Sequence, residues 1–126
     1  MRVLLDTHIF FLWLTAGDPR LTTQAQAILG HVDRVFISAA SIWEIAIKLR
    51  IGKLAGDPDK LIAEIDKNGF EELPVFARHA REVAKLPLLH GDPFDRLLIG
   101  QAMADRLQLL TADPQIKAYS EFAAIV

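Results

Sequence analysis

The sequence predicts an α/β fold built on a largely parallel sheet, and two observations carry that prediction. Short apolar, β-branched runs alternate along the chain with longer segments of helical spacing, the pattern of repeated strand–helix units. No internal repeat, linker or low-complexity stretch breaks the alternation, so residues 1–126 read as a single domain.

The first run, Arg2 to Leu5, is a brief strand that stops at an acid. Leu21 to Leu29 has Leu21, Ala25, Ile28 and Leu29 at helical spacing, with Thr22 or Thr23 as cap and Gly30 as stop. Arg34 to Ile37 is β-branched and aromatic, a second strand. Ile42, Ile45, Ala46 and Leu49 predict a helix over Ser41 to Ile51, ended by Gly52. Asp59 to Lys67 reads as a helix after Pro58, closed by Asn68-Gly69. Phe70 to Val75 is a third strand, placed at a sheet edge because Pro74 cannot donate to a ladder. Ala77 to Leu86 is helical, Pro93 to Leu107 is the longest helix, and Gln108 to Thr111 is the fourth strand. Pro114 to Tyr119 is a short helix and Phe122 to Val126 a final strand.

Composition narrows the function classes. Of 126 residues, 52% are hydrophobic and 24% charged, which suits a packed globular chain and excludes disorder. With no cysteine there is neither a disulfide framework nor thiolate chemistry, which fits a reducing cytosol. The longest apolar run, Ile9 to Leu14, is too short to span a bilayer, and Asp6 and His8 interrupt any signal-peptide core at the start. A cytoplasmic protein with no membrane partner is expected. The net charge of −2 is unusual for a protein that binds by neutralising many phosphates. If it handles nucleic acid, metal ions or a local basic patch must supply the attraction.

In open parallel sheets, ligands bind beyond the carboxyl ends of the strands, and acids stand there. Asp6 follows the first strand, and Asp113 follows the fourth in Leu110-Thr111-Ala112-Asp113-Pro114. Glu44 lies early in the helix after the second strand, and Asp95 in the first turn of the longest helix. Each has a structural reading too. Asp6 suits a cap for the segment starting at Thr7, and Asp113 a cap for the helix that Pro114 opens. Glu44 suits a capping box begun by Ser41, or an i,i+4 pair with Lys48. Asp92-Pro93-Phe94-Asp95 has the form of an N-cap, a first-turn proline and an acid favoured by the helix dipole. Glu44 fits its structural reading least, because its helix is apolar on most sides and an acid there needs a partner. Together, carboxylates sharing one crevice repel each other unless a cation compensates. Hard divalent ions take oxygen ligands, and without His or Cys ligand pairs the set suits Mg²⁺ or Mn²⁺ and not zinc. One or two such ions, with substrate phosphates as further ligands, would also answer the charge question.

At these residues the chain resembles the PIN-domain family, specifically the VapC-type toxins of bacterial type II toxin–antitoxin pairs. The matching stretches are Leu4-Leu5-Asp6-Thr7-His8, the run Ile37 to Lys48 with Ser41-Ile42-Trp43-Glu44, the run His90 to Ala102 with Asp92-Pro93-Phe94-Asp95-Arg96, and Leu109-Leu110-Thr111-Ala112-Asp113. They fall in family order from the first strand nearly to the C-terminus. The resemblance implies a PIN-like, Rossmann-like three-layer α/β/α sandwich with a central, mainly parallel sheet of four to five strands. It implies an endoribonuclease that hydrolyses RNA by metal-activated water, leaving 5′-phosphate and 3′-hydroxyl ends. Asp6, Glu44, Asp95 and Asp113 match the acidic quartet that binds Mg²⁺ or Mn²⁺. Thr111 matches a small hydroxyl position near the site and Asp92 an accessory acid; Thr7, Lys48 and Arg96 are further accessory candidates, Lys48 for guiding RNA and Arg96 for pairing with an acid or a phosphate. A cognate antitoxin and a homodimer are the partners implied besides RNA. Gly100 replaces the more usual alanine, at about 1 kcal/mol in helix propensity, which points to close packing against the sheet.

Other residues are read more plainly. His8, His31, His79 and His90 share no ligand spacing; His8 is read as a surface or capping residue and His90 as part of the loop before the longest helix. Trp13 and Trp43 are read as core or interface. Two rival functions share the fold: a phosphoacceptor signalling domain, which normally has an acidic pair after the first strand and a lysine after a late one, and a catalytically silent PIN fold acting as a scaffold. Asp6 stands alone, and Thr111-Ala112-Asp113 offers no lysine.

Overall fold

The structure is a computed structural model that describes residues 1–14 and 23–126. Its elements are β1 (Arg2–Leu5), α1 (Thr7–Leu14), α2 (Thr23–Leu29), β2 (Arg34–Ser38), α3 (Ala39–Arg50), α4 (Pro58–Lys67), β3 (Glu71–Leu73), α5 (Ala77–Val83), α6 (Pro93–Asp105), β4 (Gln108–Leu110) and α7 (Pro114–Lys117). The predicted helix start at Leu21 and the cap at Thr22 lie outside the described residues.

The strands form one sheet in the order β3-β2-β1-β4, and every pairing is parallel. Strand alternation sends side chains to two separate cores. Val3, Leu5, Val35, Ile37 and Leu110 face one core with Ile9, Phe10, Ile45 and Ile65, from α1, α3 and α4. Leu4, Phe36, Leu73 and Leu109 face the other with Leu98, Ile99, Ala102, Ile116 and Tyr119. The fold is therefore the expected three-layer α/β/α sandwich. Its central strands are buried on both sides, which is why β1 and β2 read as continuous apolar runs and not as alternating ones.

The order places β1 between β2 and β4, so the chain winds outward one way through β2 and β3 and returns to the other side of β1 for β4. The carboxyl ends of β1 and β4 thus flank the topological switch point, where α/β sheets open a ligand crevice. Asp6 and Asp113 follow those two strands.

Several boundaries differ from the sequence-based expectation, each for a local reason. Residues 7–14 form a helix that periodicity did not announce; Asp6 caps it by accepting the Ile9 N–H at 2.7 Å, and its apolar residues meet the core on more than one side. α3 starts at Ala39, two residues earlier than expected, because Ser38 and not Ser41 is its cap, accepting the Ala40 N–H at 3.0 Å. The Ser41 hydroxyl accepts from Thr7 instead, so no capping box joins Ser41 to Glu44. β3 is only Glu71–Leu73 and lies at the edge, cut short by Pro74. α6 ends at Asp105, with Arg106 left-handed at φ 54° as its cap. The expected fifth strand is reduced to a parallel bridge between Leu109 and Ile125, flanked by hydrogen bonds from Leu109 to Ala124 and from Val126 to Leu109. Trp13 packs against the first core, whereas Trp43 is exposed and meets Phe94 edge-on, with ring centroids 5.0 Å apart.

Gly100 is explained by a different neighbour from the one expected. A Cβ there would lie 2.7 Å from the His79 carbonyl oxygen and 2.7 Å from Val83 Cγ2, so the close approach is to α5 and not to the sheet. The carbonyl is backbone and cannot move aside cheaply. Gly100→Ala is expected to lower stability by roughly 1–2 kcal/mol, because an overpacking cost of about 1–3 kcal/mol outweighs the gain in helix propensity. Thermal denaturation checks this; an unchanged melting temperature would mean that α5 yields freely.

Candidate metal centre

A cleft of about 450 Å³ opens at the strand carboxyl ends. Asp6, Thr7, Glu44, Lys48, Asp92, Asp95 and Asp113 line it, joined by His8, Phe11, His90 and Gln115. All four acids of the expected quartet therefore border the same cavity. They arrive from four different elements: the end of β1, the second turn of α3, the first turn of α6, and the loop after β4.

Asp6 is buried. Besides its cap to Ile9, its second carboxylate oxygen accepts from the Thr111 hydroxyl, while Thr111 Oγ1 accepts the Asp113 N–H at 3.0 Å. Burial pushes the Asp6 carboxyl above the usual carboxylate range; the Thr111 hydroxyl and the Ile9 N–H oppose the rise, and the Asp113 charge adds to it. Asp113 caps α7 by accepting the Gln115 N–H at 2.9 Å. Its capping role and its place in the cleft coexist, since capping uses one carboxylate oxygen.

Asp92 caps α6, accepting the N–H groups of Phe94 at 2.8 Å and Asp95 at 3.0 Å. Asp95 has a carboxyl pushed up to about 6, chiefly by burial; the Asp92 and Glu44 charges add to this, and a hydrogen bond from His90 opposes it. Glu44 Oε2 pairs with Lys48 Nζ at 3.2 Å, and its other oxygen is buried with no hydrogen-bond partner among the described residues. A buried carboxylate oxygen left unmatched is costly unless something else in the cleft satisfies it.

These features fit a divalent cation. The donors are hard oxygens, two of the carboxyls are held above their usual range chiefly by burial, and one buried oxygen lacks a partner among the described residues. The tightest grouping among the described residues is not carboxylate alone, however. His90, Asp95 and Asp113 offer ligand atoms that all lie within 4.8 Å of one another, while Asp6 and Glu44 line the same cleft outside that group.

His90 is the residue that sequence reasoning missed. The sequence assigns it only to the loop before α6, yet its Nε2 lies 2.9 Å from Asp95 Oδ2. The one available signal was its position just ahead of the Asp92-Pro93 cap, where a tight helix start folds the preceding loop back over the first turn. Arg96 departs from expectation in the opposite sense. Its guanidinium turns to the Pro87 and Leu86 carbonyls and the Tyr119 hydroxyl, not to an acid. Thr7 donates to Ser41 at 2.9 Å and Thr111 to Asp6, so both hydroxyls hold the walls of the cleft together.

The fold and the cleft define a class: an α/β protein with a carboxylate-lined crevice at the switch point of a parallel sheet. The chain belongs to the PIN domain family, whose sequence profile matches residues 3–121. It is similar to Ribonuclease VapC22 of Mycobacterium tuberculosis, with 26% identity over 128 residues, 93% of this chain and 91% of that protein. Among solved structures it resembles DNA-bound VapBC from Salmonella typhimurium, with a TM-score of 0.70, 14% identity and coverage of 100% of this chain and 97% of that one. It also resembles VapBC-5 of Mycobacterium tuberculosis, a member of the VapBC family of toxin–antitoxin systems, with a TM-score of 0.64, 22% identity and coverage of 99% and 95%. No helix among the described residues is long and apolar enough to cross a membrane.

Proposed function

We propose that residues 1–126 form one PIN domain acting as a metal-dependent endoribonuclease, the toxin of a type II toxin–antitoxin pair, in the cytoplasm. The observation that carries this reading is the meeting of Asp6, Glu44, Asp95 and Asp113, from four separate elements, in one cleft that also leaves a Glu44 oxygen without a partner. The name of the VapC22 relative and the toxin–antitoxin family of VapBC-5 support the substrate and the biological role.

Asp95 and Asp113, together with Asp6 and Glu44 in the same cleft, would hold Mg²⁺ or Mn²⁺. A bound divalent ion supplies an acidified water and offsets charge on a phosphodiester. The protein's own share is placement. Thr111 holds the Asp6 carboxylate through its hydroxyl, and Asp92 pins the backbone of Asp95. Lys48, tethered to Glu44 at the rim, is placed to meet a substrate phosphate, which gives a chain of slightly negative net charge a local cation to guide RNA.

Antitoxin and homodimer contacts need apolar surface, and α3 with its C-cap Ile51 carries some. Trp43, Ile47 and Ile51, spaced at i, i+4 and i+8, are 62%, 38% and 59% exposed. This apolar stripe is the surface we assign to such a contact.

Incubation with RNA in Mn²⁺ tests the reading, with EDTA and acetyl phosphate arms alongside. Cleavage in Mn²⁺ only, with 5′-phosphate and 3′-hydroxyl ends, is expected. Phosphorylation from acetyl phosphate without cleavage would favour the phosphoacceptor reading, and neither result would favour a silent scaffold.

A further inference from the structure

The segment between α5 and α6 is held by an arrangement that the proposed activity does not by itself explain. Tyr119 is fully buried, and its hydroxyl sits at the hub. It accepts the N–H of Leu89 at 2.9 Å and of His90 at 2.8 Å, accepts from Arg96 Nη1 at 2.8 Å, and donates to the Pro87 carbonyl at 2.9 Å. Arg96 grips the same segment beside it, donating to the carbonyls of Pro87 at 2.9 Å and Leu86 at 3.3 Å. A hydroxyl has one proton and two lone pairs, so its three donors share two lone pairs and the group has nothing left to offer beyond the loop and Arg96. Leu86 anchors the start of the segment in the second core, but Leu88 and Leu89 remain exposed, so apolar burial does not account for the course of the chain up to His90.

The product of this bracing is the placement of one side chain. His90 reaches Asp95, with Nε2 2.9 Å from Oδ2, while Asp95's own backbone N–H is tied to Asp92 at 3.0 Å. Both ends of the Asp95 residue are thereby fixed.

We propose that His90 is a positioning residue: by donating Nε2–H to Asp95 Oδ2 it sets the rotation of that carboxylate, leaving the other oxygen to act with Asp113 on a divalent cation, and the Tyr119–Arg96 brace exists to hold His90 there. The inference rests on the metal-centre reading above. Its chemistry is the general one in which groups behind the ligands orient them, and whose loss weakens metal binding by roughly 10–100-fold. An imidazole donor suits the task because its ring is rigid and its reach is fixed by two side-chain torsions. Oxygen is also the better direct ligand for Mg²⁺, so the arrangement places nitrogen behind the carboxylate.

Calorimetric titration of the full chain with MgCl₂ and with MnCl₂ tests this on the wild type, His90→Ala, His90→Gln and His90→Asn, with metal-free melting temperatures measured in parallel. His90→Ala is expected to weaken both metals by a similar factor, about tenfold or more, with the metal-free melting temperature nearly unchanged. His90→Gln, whose amide N–H reaches close to the position of Nε2, is expected to recover most of the affinity, and the shorter His90→Asn is not. The Gln–Asn comparison carries the same question should His90→Ala fail to fold. Unchanged affinity in His90→Ala overturns the proposal. Loss of Mn²⁺ binding with Mg²⁺ binding retained overturns it as well, because that pattern marks His90 as a nitrogen ligand. A wild type that binds neither ion removes the metal-centre reading itself, whereas normal wild-type binding with indifferent variants removes only the role of His90.

Discussion

Asp6→Asn is expected to lower kcat/KM for RNA cleavage by about a thousandfold or more while leaving the metal-free protein at least as stable as the wild type. The two halves of this expectation come from different atoms of the same side chain. The cap of α1 needs only an oxygen to accept the Ile9 N–H, which an asparagine retains. What it loses is the negative charge and the second acceptor, which the Thr111 hydroxyl answers by rotating to accept from the new amide; in the metal-free protein the charge is a burden, because the carboxyl is buried, held above its usual range, and repelled by Asp113. Stability and activity should therefore separate. A metal-free melting temperature several degrees lower would mean that the charge of Asp6 stabilises the fold, and retained cleavage would remove Asp6 from the centre.

The second large effect is a pH dependence with an unusual sign. Carboxyls paired with cations stabilise a fold at neutral pH and lose that effect in acid; Glu71 with Arg34, and Asp105 with Arg78 and His79, are of this kind and act below the ordinary carboxylate range. Asp95 is the reverse. Its folded-state value of about 6 lies above the 3.8 of an unperturbed aspartate, so the folded state binds the proton more tightly than the unfolded state. The contribution is fully present below about 4 and is withdrawn as pH rises through about 6. Asp6 acts in the same direction. Asp95→Asn, which cannot ionise, is thus expected to match the wild type near pH 4 and to melt roughly 3–8 °C higher near pH 7.5 without metal, corresponding to about 1–2 kcal/mol after allowance for partial exposure. Saturating Mn²⁺ should reverse the order at pH 7.5. A ligand at a hundred times its dissociation constant stabilises by about 2.7 kcal/mol, or roughly 8–11 °C here, and only the wild type should gain in full. Differential scanning fluorimetry across pH with and without metal reads all of this. A variant that melts lower than the wild type at pH 7.5 without metal would contradict the assignment.

How far the sequence reveals such a molecule depends on whether a residue's partners are near it in the chain. The strands β1 and β2 and the helix α6 were legible because local pattern and tertiary role agree: apolar runs for strands buried on both faces, and an Asp92-Pro93 start for the helix. Helix α1 was not, since its residues meet the core on several sides and carry no polar stripe to set a period. The predicted last strand shrank to a bridge at Ile125, since its backbone pairing among the described residues is confined to Leu109 and the Thr111 N–H at the end of the short β4. The acids could be read as a group because strand topology alone brings the ends of β1 and β4 together. His90 and Arg96 could not, as their positions are set by Tyr119, which lies 29 and 23 residues away in sequence. Gly100 gave a correct signal of close approach with the wrong neighbour, because sequence carries no record of which helix crosses which.

Crystals soaked in Mn²⁺ and measured at the manganese absorption edge bring the central claim to a single map. An anomalous peak in the cleft, ligated by Asp95 and Asp113 and bordered by Asp6 and Glu44, is the predicted result. Manganese bound only at outer surface acids such as Asp59 or Glu64, with nothing between the ends of β1 and β4, would contradict it.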